Sequence, residues 1–441
     1  MTLQEKVYFL RQLQSSFTSI GALIPTSRYA ARMMASECAR RADPRTILEV
    51  GPGTGSITAE IVRAMRPGDR LTLVELNADF VAYLRERFER EPDFQRVRDQ
   101  VTVLHMDITQ LDATQRFDYI ISAVPFNNLP PELVEAILDR YRTLLAPDGV
   151  LTYIEYAYLR AIKQRLLTGE EREQFGAVNR VLDRYIERYQ FRRDFELRNV
   201  PPAWARHLRF QQPPAEAALE LAPLEHNHRI ALGASGGIST EALPWLVGLL
   251  LAALFVRPLR RLHALLWLAA TAIAAFFRDP HRQVVANPDV AYAACDGRVL
   301  SVERVRDERF GDEEWLRVAV FLSLVDTHIN RSPVAGKVVE TIRETGGFAA
   351  ADSADAEHNN ALYTLIEGAH GRCIVAQRAG LVARRIVNWT NPGELLAQGE
   401  RYGLICFGSR TDVYLPANRF EACVAVGEIV RGGETVIARH R

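Results

Sequence analysis

The chain has 441 residues and a formal net charge of zero, with 54 basic and 54 acidic residues. This length exceeds one ordinary hydrophobic core, so we expect two or more domains. The neutral balance argues against nucleic-acid binding that is driven by charge alone. The cysteines are scattered and lack C-x-x-C spacing, which predicts free thiols in a reducing compartment and no metal site: Cys38, Cys295, Cys373, Cys406 and Cys423.

The N-terminal segment lacks the continuous apolar stretch of a cleavable signal peptide. Residues 3–18 predict an amphipathic helix, with Val7, Leu10, Leu13 and Phe17 on one face. Such a helix can lie on a membrane surface or pack on its own domain. Both alternatives stay open.

The following part of the chain alternates between short apolar runs and helical patterns. Residues 47–50 form an apolar run, Gly51-Pro52-Gly53-Thr54-Gly55 follows, and residues 56–65 have helical spacing. This order predicts a strand, a turn whose backbone a ligand can approach closely, and a helix that begins behind that ligand. Further strands are predicted at 71–74, 101–105 and 117–122, so the fold class is α/β and Rossmann-like.

Acidic residues stand at the ends of these predicted strands. Glu49 lies in the first strand, Glu75 ends the second, and Asp107 comes shortly after the third. A carboxylate about twenty residues after a glycine-rich turn can accept hydrogen bonds from both hydroxyls of a ribose. Each acid by itself is also compatible with a solvated strand end.

In this order, the Gly-x-Gly-x-Gly turn and the acids resemble the S-adenosylmethionine-dependent methyltransferases. The resemblance implies S-adenosylmethionine as the cofactor. It implies that Glu75 holds the ribose and that Asp107 holds the adenine amino group. It places four residues at the methionine end of the cofactor: Glu49, Gly51, Gly53 and Gly55.

The methyl acceptor is suggested by two further segments. Residues 9–12, residues 20–27 and Ser122-Ala123-Val124-Pro125-Phe126 resemble bacterial phospholipid N-methyltransferases, which methylate phosphatidylethanolamine. Ribosomal RNA adenine dimethyltransferases have a related Asn-x-Pro-Tyr/Phe loop, but Ala123 stands here in place of the asparagine. Five tyrosines are candidate ring contacts for a cationic amine, although each is also compatible with ordinary packing: Tyr8, Tyr29, Tyr153, Tyr156 and Tyr158. An RNA or small-amine acceptor, or a cofactor-sensing domain without turnover, stays open as an alternative.

Two apolar runs, 242–256 and 262–277, are separated by Arg257-Pro258-Leu259-Arg260-Arg261. Each run is shorter than the roughly 20 residues that span a bilayer upright. Two crossings would also place the arginines on the far side of the membrane, against the positive-inside tendency. We therefore predict a membrane hairpin that enters one leaflet, or two short tilted helices, with a buried hairpin of a soluble core as the alternative.

Beyond the hairpin, the pattern changes to short strands separated by turns. Four motifs occur in order: Phe276-Phe277-Arg278-Asp279-Pro280, Asp296-Gly297-Arg298, His328-Ile329-Asn330-Arg331 and Phe407-Gly408-Ser409-Arg410. Together they resemble the short bacterial form of phosphatidylserine decarboxylase over about residues 229–441, which implies a mainly β (α+β) domain. Many members of that family have Leu-Gly-Ser-Thr at the last motif, so Phe407 and Arg410 depart from the pattern. Without the other motifs, a Gly-Ser pair would indicate only a tight turn.

Decarboxylation of an amino acid requires an electron sink. Lys337 is the only lysine after residue 229, and no pyridoxal phosphate-binding pattern surrounds it. The resemblance implies a pyruvoyl group instead. Ser409 Oγ attacks the Gly408 carbonyl and forms an ester. Elimination across Ser409 then frees the upstream chain as a carboxylate, and the dehydroalanine left at residue 409 hydrolyses to the pyruvoyl group. It also implies that His328 is the base for Ser409 and that Asp296 orients His328.

The sequence thus predicts four segments: a methyltransferase domain at 1–210, a linker at 211–228, a hydrophobic hairpin at 229–282 and a decarboxylase domain at 283–441. Self-cleavage would leave two associated chains, 1–408 and 409–441. Phosphatidylserine decarboxylases make phosphatidylethanolamine, which phospholipid N-methyltransferases consume. We therefore predict a bifunctional phospholipid enzyme at the cytoplasmic face of the cell membrane, without a nucleic-acid partner. The resemblance also allows a homo-oligomer.

Overall fold

The computed structural model describes residues 26–41, 43–157, 159–224, 236–256, 259–381, 385–406 and 409–441. The predicted amphipathic helix at 3–18 and Gly408 of the predicted cleavage site lie outside these residues. The chain divides into two compact units, Met1–Pro213 and Pro214–Arg441.

Seven strands form the sheet of the first unit: β1 (Thr46–Val50), β2 (Arg70–Glu75), β3 (Val101–His105), β4 (Phe117–Ser122), β5 (Leu145–Tyr156), β6 (Gln190–Glu196) and β7 (Ala203–Leu208). Their order is β3-β2-β1-β4-β5-β7-β6. The first five strands are parallel, and β7 runs antiparallel to both of its neighbours. The order reverses between β1 and β4, which opens a crevice at the carboxyl ends of these strands.

The helices of this unit are α1 (Arg28–Met34), α2 (Ser56–Ala64), α3 (Ala78–Arg90), α4 (Pro92–Gln95), α5 (Pro131–Leu144), α6 (Leu159–Leu166) and α7 (Gly169–Tyr189). They cover both faces of the sheet, because successive strand residues point to opposite sides. Ile47 packs in a buried cluster with α1 and α2, whereas Leu48 packs in another with α5 and α7. The predicted α/β Rossmann-like fold is confirmed.

The second unit is mainly β. Its strands are β8 (Gly236–Ile238), β9 (Arg278–Pro280), β10 (Val290–Tyr292), β11 (Gly297–Arg306), β12 (Glu314–Leu322), β13 (Ile329–Arg331), β14 (Gly336–Glu344), β15 (Ala361–Gly368), β16 (Gly371–Arg378), β17 (Arg385–Asn388), β18 (Leu395–Leu396), β19 (Arg401–Cys406), β20 (Ser409–Pro416), β21 (Phe420–Ala422), β22 (Ile429–Val430) and β23 (Val436–His440). The predicted mainly β fold of the C-terminal domain is confirmed.

These strands form several sheets. The largest has the order β18-β14-β15-β16-β20-β12-β11-β22, and β20 pairs with β12 and β16 in its interior. Three-stranded sheets have the orders β10-β23-β21 and β13-β19-β17, and β8 pairs with β9. The strand that begins at Ser409 is therefore central to the unit.

Two helices of the second unit, α8 (Leu243–Phe255) and α9 (Arg260–Phe276), form a hairpin close to the two predicted apolar runs. His263 joins them, because its Nδ1 donates to the Ala253 carbonyl at 2.9 Å while its Nε2 accepts from Trp267 Nε1 at 3.1 Å. Across the described ranges, neither these helices nor any other combine the length and apolar character that crossing a bilayer requires.

Part of the segment predicted as a linker, 211–228, is folded against the second unit. Ala215–Glu220 forms a 3-10 helix, and its Ala218 shares a buried cluster with Leu395. The Leu224 carbonyl accepts a hydrogen bond from Arg401 Nη1 at 3.1 Å. Burial of these small apolar side chains packs this stretch against the second unit, and the linker at 211–228 stays a prediction.

Candidate active sites

A cavity of about 370 Å³ lies at the carboxyl ends of β1, β2 and β4 in the first unit. Its wall includes four of the residues predicted to hold the cofactor: Gly51, Gly53, Glu75 and Asp107. Glu49 and Gly55, which were predicted to line the same site, lie behind the described wall. The cavity therefore occupies the crevice where the strand order reverses.

The glycine-rich turn is held in conformations that favour glycine. Gly53 has a φ of 55° and Gly55 a φ of 79°. A Cβ atom at Gly55 would come within 2.8 Å of Leu84 Cδ2 and of Arg87 Nη1. The same Arg87 nitrogen donates to the Gly55 carbonyl at 2.9 Å. Gly55 therefore serves the packing of α3 behind the turn, which explains why it does not reach the cavity.

Backbone amides hold the two carboxylates of the cavity wall. Glu75 accepts from Gly53 N at 3.0 Å and from Asn77 N at 2.9 Å. Asp107 Oδ1 accepts from the Thr109 amide at 2.8 Å and from the Thr109 hydroxyl at 2.9 Å. A carboxylate has about four acceptor positions, so each group retains capacity for further donors. These acceptors fit the hydroxyls of a ribose and the amino group of an adenine.

Glu49 is buried on the opposite side of β1 from Val50, because neighbouring strand residues alternate in direction. Its Oε2 accepts from Thr58 Oγ1 at 2.7 Å, and its Oε1 has no hydrogen-bond partner among the described residues. Burial raises the pKa of Glu49 to about 8, so this carboxyl is mostly protonated at neutral pH. Through its bond to Thr58, Glu49 thus connects β1 to α2, the helix that follows the glycine-rich turn.

A second cavity of about 50 Å³ adjoins the first. Ala123, Val124, Pro125 and Tyr156 belong to the walls of both cavities. Tyr153 lines the smaller one, and within the described part of the chain its buried hydroxyl has no hydrogen-bond partner. Burial raises the pKa of Tyr153, which keeps this hydroxyl neutral. Two of the predicted tyrosines therefore lie together beside the larger cavity.

Ser409 is the first residue of β20, opposite Leu322 of β12. Its side chain is fully buried, and its Oγ lacks a hydrogen-bond partner in the ranges that the structure describes. Burying a hydroxyl without a partner costs about 1–3 kcal/mol. The fold therefore keeps a buried hydroxyl without a described partner at the predicted cleavage bond. Such a group is expected where the hydroxyl reacts, because a reactive hydroxyl need not be satisfied by a structural bond.

His328 lies beside the strand that leads to Ser409, and its carbonyl accepts from Ile405 N at 3.3 Å. Its Nδ1 is 3.0 Å from the Asp326 carbonyl oxygen, and its ring centroid is 4.1 Å from that of Phe276. Because a carbonyl can only accept, Nδ1 carries the proton and Nε2 keeps its lone pair. This is the tautomer that a base acting through Nε2 requires.

Burial lowers the pKa of His328 to about 4. The imidazole is therefore neutral at physiological pH. In the unfolded chain, the same group gains a proton as the pH falls through about 6.5. The folded state consequently loses stability as the pH falls from about 6.5 to about 4. Within the folded protein, His328 stays neutral and available as a base at all pH values above about 4.

We expect the rate of self-cleavage to stay constant between about pH 5.5 and pH 8, because the His328 base is already deprotonated. Chains made by cell-free synthesis can be diluted into buffers of different pH, and their cleavage can be followed over time by gel electrophoresis. His358→Ala, which removes an exposed histidine, should leave the profile unchanged. A rate that falls with an apparent pKa near 6.5 would show that a solvated histidine is the base.

Asp296 is predicted to orient His328, and the structure shows its carboxylate in contact with other groups. Its carboxylate binds Arg282 Nη2 at 2.5 Å and accepts from Gly432 N at 2.8 Å. The neighbouring Gly297 is required by packing, since a Cβ atom there would come within 2.1 Å of the Phe321 carbonyl oxygen. The role of Asp296 in orienting His328 stays a prediction, and the Asp326 carbonyl is the group that holds the ring in this structure.

Arg410 follows the serine directly, at the position of the threonine in the Leu-Gly-Ser-Thr motif that the resemblance implies. It follows Ser409 on β20, so its side chain lies on the opposite face of the strand. Arg410 Nε binds Asp412 Oδ1 at 2.6 Å, and the other oxygen of Asp412 binds Arg378 Nε at 2.8 Å. This buried ion-pair network leaves the Ser409 face of the strand free of the arginine charge.

The Ser409 face carries a chain of neutral side chains that sequence reasoning missed. Gln377 Nε2 donates to Asn330 Oδ1 at 2.7 Å, and Asn330 Nδ2 donates to Thr411 Oγ1 at 3.2 Å. All three residues are buried. Asn330 belongs to one of the motifs, but nothing local marks Gln377. The bonds fix β20 relative to β13 and β16, and so fix the position of Ser409.

Residues 270–438 match the family model for phosphatidylserine decarboxylase, and residues 47–149 match that for a methyltransferase domain. The phosphatidylserine decarboxylase proenzyme of Symbiobacterium thermophilum is 43% identical over 208 residues, which cover 46% of this chain and 95% of that protein. The proenzyme of Desulfotalea psychrophila is 40% identical over 164 residues, covering 37% and 76%. Among solved structures, an O-methyltransferase from Bacillus cereus in complex with SAH has 16% identity and a TM-score of 0.35, covering 47% and 92%.

Proposed function

Since the chain belongs to the phosphatidylserine decarboxylase family and also carries an S-adenosylmethionine-dependent methyltransferase domain, we propose that it converts phosphatidylserine into methylated phosphatidylethanolamine. The second unit removes carbon dioxide from the serine headgroup. The first unit methylates the amine of the phosphatidylethanolamine that results. The observation that carries the proposal is the buried Ser409 Oγ at the start of β20, which has no hydrogen-bond partner among the residues that the structure describes.

In the decarboxylase unit, His328 Nε2 takes the hydroxyl proton of Ser409 as the serine oxygen bonds to the preceding carbonyl carbon. It returns that proton to the nitrogen of Ser409 as the peptide C–N bond breaks, which leaves an ester on the serine oxygen. The bonds of Thr411, Asn330 and Gln377 hold β20 in register during this step. When formed at residue 409, a pyruvoyl group supplies the electron sink for decarboxylation. The complete burial of residue 409 keeps bulk water from this position.

In the methyltransferase unit, Glu75 and Asp107 hold the ribose and the adenine of S-adenosylmethionine, which supplies an electrophilic methyl group. Tyr153 and Tyr156 lie where the acceptor amine enters from the smaller cavity. Alignment of the amine with the methyl group contributes most of the rate in such a transfer. A phosphatidylethanolamine headgroup is small enough at its tip to reach this position.

Both activities on one chain raise the effective concentration of the intermediate at the second site. To test the proposal, the purified protein is incubated with phosphatidylserine vesicles, with and without methyl-labelled S-adenosylmethionine, and lipids are identified by mass spectrometry. We expect phosphatidylethanolamine without the cofactor and labelled, methylated lipid with it. If added ribosomal RNA or free ethanolamine becomes labelled and lipid does not, lipid is refuted as the methyl acceptor. The proposed decarboxylase activity is unaffected by that result.

We also propose that the α8–α9 hairpin attaches the protein to the cytoplasmic membrane surface. Its outward apolar side chains are more than half exposed: Trp245, Leu254, Phe255, Leu265, Trp267 and Leu268. Arg260 and Arg261 are exposed at the start of α9, where they can meet anionic headgroups. At the other end of α9, Phe276 packs against the His328 ring. Lipid docking would therefore bring phosphatidylserine close to the decarboxylase site.

The double substitution Leu254→Glu and Phe255→Glu should weaken binding to phosphatidylserine vesicles by at least about 100-fold, because two apolar side chains each contribute about 1.5–3 kcal/mol when fully buried. Vesicle sedimentation measures this binding. Leu197→Glu, which changes an exposed leucine of the first unit, is the matched control and should have no effect. Equal sedimentation of the double variant and the wild type would rule out the hairpin as the lipid contact.

A further inference from the structure

Three side chains that are far apart in the sequence meet at one edge of the second unit: Asp289, His370 and His440. One donor atom from each lies within 4.8 Å of the other two. His370 Nε2 is 2.9 Å from Asp289 Oδ1, and the His370 and His440 rings are stacked with centroids 3.7 Å apart. This Asp289–His370–His440 cluster is separate from both sites described above.

Strands and a tight turn fix the backbone positions of the cluster. His370 lies in the tight turn between β15 and β16, which is closed by Gly371 with a φ of 102°. His440 ends β23, and its amide donates to the Asp289 carbonyl at 2.7 Å. The Phe420 ring packs at a steep angle against both imidazoles, at 5.8 Å from His440 and 6.3 Å from His370. The three side chains are therefore presented together by strands and a short turn.

Two imidazoles and one carboxylate form a ligand set that suits Zn²⁺ and similar divalent transition metals. With metal–ligand bonds of about 2.0–2.1 Å, donor atoms of a tetrahedral site are roughly 3.4 Å apart. The donor atoms of the cluster lie within 4.8 Å of one another, so binding an ion would require them to approach by up to about 1.4 Å. The Asp289 side chain is 64% exposed, so a fourth coordination position would be open to water.

We propose that the Asp289–His370–His440 cluster binds a divalent transition-metal ion, preferentially Zn²⁺, and that the ion joins the two chains of the mature enzyme. The joining role rests on the proposed cleavage. Asp289 and His370 precede residue 409, whereas His440 lies in the small chain 409–441. The ion would coordinate both cleavage products and so replace part of the lost covalent connection.

Isothermal titration of the full-length, cleaved protein with ZnCl₂ tests the site. We expect one ion per protein and affinity about 100-fold lower in His440→Ala, which loses a direct ligand. Asp289→Asn, which keeps the side-chain shape, should also weaken binding, whereas His358→Ala should not. Absence of uptake by the wild type, or equal affinity in the wild type, His440→Ala and Asp289→Asn, overturns the proposal.

The joining role has a separate readout. Zn²⁺ should raise the urea concentration at which the chain 409–441 separates from the rest, and His440→Ala should abolish this shift without changing decarboxylase activity. A wild-type shift that is unchanged in His440→Ala contradicts the joining role. If the protein proves not to be cleaved, Zn²⁺ binding to the single chain still decides the metal site, so the two proposals fail independently.

Discussion

Ser409→Ala should leave a single chain of 441 residues and abolish phosphatidylserine decarboxylation. The variant has no hydroxyl to attack the preceding carbonyl, so neither cleavage nor the electron sink can form. The substitution should not unfold the unit, because it removes a buried oxygen that has no hydrogen-bond partner in the described residues. Deleting such an atom is nearly neutral or stabilising. Mass spectrometry under denaturing conditions measures cleavage, and carbon dioxide release measures activity.

Two variants make this experiment specific. Ser409→Cys retains a nucleophile and should be cleaved slowly, whereas Ser301→Ala removes a half-buried hydroxyl from β11 of the same sheet and should be cleaved normally. The methyltransferase activity should survive in all three proteins. A cleaved or active Ser409→Ala protein would mean that another residue provides the reactive group.

Glu75→Ala should lower the affinity for S-adenosylmethionine by about 100-fold or more. The glutamate is held by Gly53 N and Asn77 N with its remaining lone pairs on the cavity wall. Its loss would remove charge-assisted hydrogen bonds to the ribose, each worth about 1.5–3 kcal/mol, and would also release the glycine-rich turn. Isothermal titration with the cofactor gives the affinity directly.

The matched control is Glu86→Ala, which changes an exposed glutamate of α3 that pairs with Arg90. It should bind the cofactor as the wild type does. Decarboxylation by Glu75→Ala should be unaffected, since that reaction belongs to the other unit. If Glu75→Ala binds the cofactor with normal affinity, the cofactor does not bind in the 370 Å³ cavity that Glu75 lines.

Among the described residues, the strands, turns and helices that neighbouring residues mark in the sequence were predicted correctly. The glycine-rich turn and the strands around it have the expected bounds within one residue, because apolar runs and glycines are read from neighbouring positions. The two hairpin helices follow their apolar runs for the same reason. The opposite directions of Glu49 and Val50 also follow from strand alternation, which places Glu49 behind the cavity that the resemblance implied for it.

Contacts between distant segments were not predictable in this way. The pairing of β11 with β22 brings Gly432 near Asp296, and Arg282, which follows β9, binds the same carboxylate. No local pattern shows either contact. The cluster of Asp289, His370 and His440 likewise spans three segments, so a search for metal motifs at short spacing finds nothing. Packing of Ala215–Glu220 on the second unit was hidden by a composition typical of linkers.

The position of β20 inside the eight-stranded sheet, between β12 and β16, affects what can happen after denaturation. Before cleavage, insertion of this strand is an intramolecular event, and an unfolded precursor can refold at any dilution. After cleavage, the same insertion becomes bimolecular, and the large fragment must find its partner while an open sheet is exposed to aggregation. The enzyme would therefore acquire its fold once, as a precursor, and heat inactivation of the mature form would be irreversible and governed by its unfolding rate.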